Sequence, residues 1–138
     1  SGIISNDDYK NFILPLSNKI LLEARESGVP TIFFPKNFNE GLKYINKEMC
    51  DYVSVDYDIS LDYARNLLDS EVGIQGNMDP KIFYQEIDEI ENYLKSLIDF
   101  GSKNTDWIFN LGHGFRPDID HIKVKYVVEW IKNANWKR

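Results

Sequence analysis

The sequence predicts an α/β fold in which four parallel strands alternate with helices, as in half of a (β/α)8 TIM barrel. Four short runs rich in β-branched and aromatic residues have the character of buried strands, and segments with apolar residues at helical spacing separate them. Strands that alternate with helices pair in parallel through right-handed crossovers. A small doubly wound sheet is the competing architecture. A complete barrel needs eight strands and about 250 residues, so four strands in 138 residues favour part of a barrel.

The alternation begins with a helix that has no strand before it. A capping box at Ser5–Asp8 predicts its start, and Gly28 predicts its end. Pro15 predicts a kink within it. The run TIFF at 31–34 is the first predicted strand, and a second helix is expected from Asn39 onwards.

The remaining elements continue the same alternation. Strands are predicted at 52–56 (YVSVD), 72–76 (VGIQG) and 107–111 (WIFNL). Ser60 is the predicted cap of the helix after the first of these, and a longer helix over 85–100 is predicted to stop at Gly101. The last helix presents its apolar face through Val124, Val127, Val128 and Ile131.

Composition limits the classes of function. With 43% hydrophobic residues, the chain is expected to form a single domain over residues 1–138. A formal charge of −6 argues against binding to nucleic acid or to an anionic membrane surface, since both need a basic face. Cys50 is the only cysteine, which excludes an internal disulfide and favours a reducing compartment. The absence of a long apolar run or a signal-like segment predicts a soluble, cytoplasmic protein, with a plastid as the other possible location.

Polar residues follow each predicted strand at its C-terminal end. They are Lys36, Asp56, Gln75 with its neighbours, and the segment Asn110–Gly114, in which His113 lies between two glycines. In (β/α)8 barrels the catalytic groups come from these strand ends and the loops after them. We therefore expect the four groups to face one pocket. Glycine permits unusual dihedral angles and a close approach to a ligand, which would let His113 point into the barrel mouth.

These strings together resemble the C-terminal part of the uroporphyrinogen decarboxylases. The resemblance runs in order through SGIIS (1–5), IFFPK (32–36), VSVDY (53–57), IQGNMDP (74–80) and FNLGHG (109–114), the last followed by Pro117–Asp118. It implies the second half of a single-domain barrel, strands five to eight. It also implies an enzyme, a carboxy-lyase of haem and porphyrin biosynthesis, that removes the carboxyl groups from the four acetate arms of uroporphyrinogen to give coproporphyrinogen. No metal or organic cofactor is implied. The expected association is a homodimer or pairing with the missing N-terminal half, without which this segment should be inactive.

The resemblance assigns site residues unevenly. His113 matches the histidine of the final strand and is expected to be catalytic and substrate-binding, with carboxylate binding favoured over proton relay. Phe34, Gln75 and Asp56 are expected to contact substrate from their strand ends, although Asp56 and Gln75 suit the anchoring of neighbouring loops equally well. Tyr57 replaces a more usual tryptophan. The roles of Lys36, Tyr57 and Arg116 stay open, and a solvated surface position is the expectation for Arg116.

Three other functions are weighed against this one. Zinc-dependent methyltransferases on the same barrel act on corrinoid or thiol substrates and need a His-x-Cys pair with a second cysteine, whereas this chain has one cysteine. Phosphate binding is an alternative use of Gly112-His113-Gly114, which resembles an anion-binding loop. The last alternative is a non-catalytic half-barrel that serves as an interaction module.

Overall fold

The computed structural model describes residues 4–136, so the first three residues of the SGIIS string lie outside the description. Four strands form one parallel sheet in the order β1-β2-β3-β4. Their bounds are Ile32–Phe33 (β1), Tyr52–Ser54 (β2), Gly73–Met78 (β3) and Trp107–Leu111 (β4). Helices separate consecutive strands. This is the predicted arrangement of half a (β/α)8 barrel, with each strand beside its neighbour in sequence.

The helical elements begin with one continuous stretch before the sheet. It consists of α1 (Asn6–Asp8), a π-helical segment (Tyr9–Ile13) and α2 (Leu14–Glu26). A 3-10 helix (Asn39–Tyr44) follows β1, α3 (Leu61–Leu67) follows β2, and a second 3-10 helix (Pro80–Tyr84) follows β3. The remaining elements are α4 (Ile87–Ser96), α5 (Ile98–Lys103) and α6 (His121–Asn133).

Helix starts follow the capping chemistry that the sequence predicts. The Ser5 hydroxyl accepts a hydrogen bond from the Asp8 amide at 3.1 Å, and the Ser60 hydroxyl accepts one from the Tyr63 amide at 3.2 Å. Each satisfies an amide that would otherwise lack a partner at a helix start. A π-helical segment immediately precedes α2, and Pro15 lies in the first turn of that helix. The kink predicted at Pro15 stays a prediction.

The helix predictions from Asn39 and over 85–100 are wrong in extent. The helix expected from Asn39 is a short 3-10 helix, and the long helix over 85–100 is divided into α4 and α5. Gly101 does not stop a helix but lies within α5. A β-carbon there would stand 2.7 Å from the Trp136 ring and 2.9 Å from the Trp107 ring, so close aromatic packing is the reason for glycine.

The two faces of the sheet differ in burial. On the face covered by helices, Val53, Ile74 and Met78 are fully buried and form the centre of the core. On the opposite face, Ile32, Phe34 and Ile108 are 48%, 41% and 38% exposed. That second face corresponds to the inside of a barrel. The apolar residues of this face are therefore not covered by any other part of the described chain, residues 4–136.

A second apolar surface lies on α2 and the π-helical segment before it. The sequence pattern places Phe12, Leu16 and Ile20 on one helix face, but they are 66%, 60% and 69% exposed. Tyr9 and Leu14 are instead the buried residues of this stretch, and the Tyr9 ring stacks on Phe38 with ring centroids 4.3 Å apart. No helix between residues 4 and 136 is long and apolar enough to cross a membrane.

Candidate functional site

A cleft of about 260 Å³ opens at the C-terminal ends of the strands. Its walls are apolar and aromatic, formed by Tyr57, Pro80, Phe115 and Pro117. Its polar lining consists of Asp79, Lys81, His113 and Arg116. The loops after β2, β3 and β4 each contribute, as expected for the mouth of a barrel.

The loop that carries His113 is attached to its neighbours at several points. The Gly112 amide donates to the Met78 carbonyl oxygen at 2.9 Å, which extends the β3–β4 ladder by one bond. Further along, the Phe115 ring packs on Phe83 with centroids 5.5 Å apart. The Tyr84 hydroxyl donates to Asp118 Oδ1 at 2.9 Å. These contacts hold the loop after β4 against the second 3-10 helix.

The two glycines beside His113 differ in environment. A β-carbon on Gly112 would stand 2.4 Å from the Tyr57 amide nitrogen, whereas nothing lies within 4 Å of such an atom on Gly114. Neither residue has a positive φ; among the described glycines only Gly28 and Gly76 do. The expectation of unusual dihedral angles is therefore wrong. Gly112 packs closely against Tyr57, and the expected close approach to a ligand stays a prediction.

Asp56 has a buried carboxylate with a backbone partner. The residue is 2% exposed, and its Oδ2 accepts a hydrogen bond from the Asn37 amide at 2.5 Å. Asn37 has a φ of 58°, a left-handed conformation that the loop after β1 requires. This contact supports the loop-anchoring interpretation of Asp56. Its assignment to substrate binding stays a prediction.

Asn77 performs a similar task from the end of β3. Its side-chain amide donates to the Asp56 carbonyl oxygen at 2.7 Å and also to the carbonyl oxygen of Ile59. The side chain is 8% exposed, so both bonds are made largely away from solvent. Together Asp56 and Asn77 connect the loops after β1 and β2 to β3.

Gln75 and Phe34 lie outside the cleft. β3 continues to Met78, two residues beyond the predicted end, so Gln75 is in the middle of the strand instead of at its tip. It pairs with Ser54 and Ile108 in register, and its Nε2 donates to the Ser54 hydroxyl at 3.2 Å. Phe34 follows β1 on the open face. Of the four predicted site residues, His113 alone lines the cleft.

The structure adds residues that the sequence pattern did not single out. Lys81 and Phe115 line the cleft beside His113 and Arg116. Phe115 follows Gly114 outside any helical or strand periodicity, and an aromatic residue in such a loop is the signal that could have identified it. Lys81 lies in the first turn of the second 3-10 helix, where the Asp79 carboxylate caps its amide at 2.8 Å.

Metal ligands do not come together in the part of the chain between residues 4 and 136, where no three His, Cys, Asp or Glu side chains form a candidate site. Cys50 is fully buried and precedes β2, at the N-terminal end of the sheet. His113 follows β4 at the C-terminal end. These two side chains therefore lie at opposite ends of the strands and do not form a shared ligand pair.

Comparison with known proteins agrees with the order of the motifs. The family model for uroporphyrinogen decarboxylase (URO-D) matches residues 1–134. Three similar proteins bear the name uroporphyrinogen decarboxylase.

The protein from Chlorobium phaeovibrioides is 37% identical over 142 residues, covering 99% of this chain and 40% of the relative. Those from Francisella philomiragia and Vesicomyosocius okutanii are 35% and 33% identical, covering 95% and 94% of this chain and 39% and 38% of the relatives. The chain thus spans about 40% of the length of these curated relatives. With the family model matched along almost its whole length, the chain belongs to the uroporphyrinogen decarboxylase family.

Proposed function

We propose that this chain forms the C-terminal half of a uroporphyrinogen decarboxylase, which converts the four acetate side chains of uroporphyrinogen to methyl groups without a metal or organic cofactor. The observation that carries the proposal is the cleft at the C-terminal ends of the strands. It combines aromatic walls, Tyr57 and Phe115, with three nitrogen donors, Lys81, His113 and Arg116. A pyrrole that bears carboxylates needs both kinds of contact.

The reaction requires three proton transfers and the loss of carbon dioxide. Protonation of a pyrrole ring carbon gives a cation that accepts the electron pair of the breaking bond between the acetate methylene and its carboxylate. Carbon dioxide leaves, the methylene carbon then takes up a proton, and the ring proton is released. Each acetate and one proton thereby become a methyl group and carbon dioxide.

His113 is assigned to the binding of a substrate carboxylate in this scheme. Its side chain is exposed in the cleft, where a carboxylate can accept a hydrogen bond from the imidazole. Hydrogen bonds to charged groups contribute about 1.5–3 kcal/mol. Loss of the imidazole should therefore lower kcat/KM by roughly 10- to 100-fold.

The open surfaces support completion of the barrel by a second half. Ile32, Phe34 and Ile108 are exposed on the face that would be the barrel interior, and β1 and β4 are the edge strands of the sheet. Unpaired edges favour association with further strands. The activity therefore belongs to the complete barrel, in which an N-terminal half supplies the other four strands and the remaining pocket groups.

The test is an assay of the complete barrel for conversion of uroporphyrinogen to coproporphyrinogen, with His113→Gln and His113→Asn as variants. We expect product from the wild type and a higher KM in both variants. A lower kcat with loss of one limb of the pH profile would assign proton transfer to His113 instead. If the intact barrel gives no product, the decarboxylase proposal fails. If the variants match the wild type, only the role of His113 fails.

Association and location complete the proposal. The family resemblance supports a homodimer of complete barrels, and the single free cysteine supports a cytoplasmic location. Sedimentation equilibrium of the complete barrel tests the first, with a concentration-independent monomer as the contrary result. Cell fractionation tests the second. A folded, dimeric and catalytically inactive complete barrel would favour the interaction-module alternative.

A further inference from the structure

We propose that Arg116 and Lys81 form a pair that binds substrate carboxylates at the cleft, and that Tyr84 positions Arg116 within it. This inference rests on the proposed function and names the residues of this half that hold the acidic arms of the substrate. It also departs from the sequence-based expectation for Arg116, which was a solvated surface charge.

The two cationic side chains of the cleft have no carboxylate partner in the described part of the chain. Several basic side chains elsewhere do pair with carboxylates, for example Lys47 with Asp51 at 2.9 Å and Arg65 with Asp106 at 3.0 Å. Lys95 and Lys103 also form ion pairs one helical turn from their partners. Among residues 4–136, no carboxylate lies within 4.0 Å of the charged nitrogens of Lys81 or Arg116. Their charges are available to an external anion.

Asp79, the acidic residue that lines the cleft, accepts a hydrogen bond from a backbone amide. Asp79 lines the same space, but its Oδ1 accepts the Lys81 amide at 2.8 Å as the cap of the second 3-10 helix. Two basic side chains and an imidazole thus share the cleft with one carboxylate, in a chain whose formal charge is −6. A local excess of positive charge in an acidic protein is an arrangement that selects anions.

Arg116 has a polar neighbour outside the cleft lining. Its exposed guanidinium lies beside the Tyr84 hydroxyl, which donates to Asp118 at 2.9 Å. Partial burial and the Asp118 carboxylate raise the pKa of Tyr84, so this hydroxyl stays protonated at neutral pH. A neutral hydroxyl beside the guanidinium can orient Arg116 without neutralising its charge. A planar guanidinium in a fixed orientation can bind a carboxylate through two parallel bonds, which an ammonium cannot do.

The experiment measures the binding of uroporphyrin, the stable and fluorescent oxidised form of the substrate, to the complete barrel by fluorescence titration. Uroporphyrin retains the carboxylates and does not react. The variants are Arg116→Gln, Lys81→Gln, Arg116→Lys and Tyr84→Phe. Lys19→Gln is the matched control, because Lys19 is an exposed basic residue of α2 that does not line the cleft.

We expect Arg116→Gln to raise Kd by about tenfold or more, and Lys81→Gln by a smaller factor. Both should lessen the weakening of binding by salt, since fewer charges contact the ligand. Arg116→Lys should recover only part of the affinity. Tyr84→Phe should raise Kd in the wild type but have no further effect when Arg116 is already glutamine, a coupling that a purely structural role would not produce.

The same variants separate this inference from the proposed function. In the uroporphyrinogen assay, Arg116→Gln should raise KM with little change in kcat. If the complete barrel is active and Arg116→Gln matches Lys19→Gln in Kd, KM and salt dependence, the inference is overturned while the decarboxylase proposal stands. If the barrel gives no product but binds uroporphyrin in a manner that depends on Arg116, the decarboxylase proposal fails and the inference stands.

Discussion

The backbone of Gly112 lies directly against that of Tyr57: a β-carbon on Gly112 would stand 2.4 Å from the Tyr57 amide nitrogen and 2.9 Å from the Tyr57 Cβ. The same glycine donates its amide to Met78 at 2.9 Å. Gly112 therefore joins the ends of three strands at one point, immediately before His113. The position of the imidazole depends on this contact between loops.

Substitution of Gly112 tests that dependence. We expect Gly112→Ala to destabilise the fold by about 1–3 kcal/mol, because the methyl group overlaps backbone atoms that cannot rotate away. Gly114→Ala is the matched control, since nothing lies within 4 Å of its β-carbon. Urea denaturation followed by circular dichroism measures the difference. Equal urea midpoints for Gly112→Ala and Gly114→Ala would show that the loops at Gly112 and Tyr57 can move apart without loss of stability.

Asp56 offers a choice between loop anchoring and substrate contact. Asp56→Ala should cost about 1–3 kcal/mol, because it leaves the Asn37 amide without its acceptor. Asp56→Asn keeps an acceptor oxygen and should cost less. Thermal denaturation compares these variants with the wild type. If Asp56→Asn leaves stability unchanged and raises KM in the complete barrel, the carboxylate contacts substrate and the anchoring interpretation is wrong.

Asp51 should make the fold less stable in acid. Its carboxylate accepts the Thr31 amide at 2.9 Å and pairs with Lys47, and these contacts lower its pKa from 3.8 to about 2. Because the pKa is lower in the folded state, the stabilisation is complete above the unfolded value of 3.8 and is lost as pH falls towards 2. Asp51→Asn should therefore lose roughly 1–2 kcal/mol at neutral pH, with the difference shrinking in acid.

Urea midpoints of the wild type and Asp51→Asn, measured across that acidic range, check this prediction. A difference that stays constant down to pH values near the folded pKa would contradict the assignment. Lys103→Gln provides a comparison, because its partner Asp99 forms an exposed pair at 2.6 Å that contributes little.

Cys50 should resist thiol reagents in the native protein. It is fully buried, and burial together with the negative charge of Asp51 raises its pKa to about 11. The thiolate is the reactive form, so at pH 8 only about one molecule in a thousand carries it. We expect slow reaction with a disulfide reagent in native buffer and fast reaction in urea. Fast native reaction at pH 8 would show that the segment before β2 opens readily.

Local patterns were sufficient to predict the sequence of elements. The cap at Ser60 and the strand at 107–111 depend on residues close together in the chain, and both are confirmed. His113 was identified because it follows a strand end between two glycines, and it lines the cleft as predicted. Each of these features is set by near neighbours, so its signal is present in the sequence.

Features that depend on distant residues were not predicted. Gly101 resembles a helix stop but is required by the Trp107 and Trp136 rings. Gln75 resembles a strand-end residue, yet pairing with β4 carries β3 on to Met78. Lys81 reaches the cleft only because the second 3-10 helix packs against the loop after β4.

The amino-acid sequence by itself determined the parallel α/β class, the order of the strands, the helix caps and the place of His113 at a strand end. The tertiary structure decided which side chains share the cleft, which glycines are required by packing, and that the Asp56 carboxylate accepts the Asn37 amide. The physical reason is that hydrophobic periodicity and capping act over a few residues, whereas close packing and charge pairing join atoms far apart in the chain.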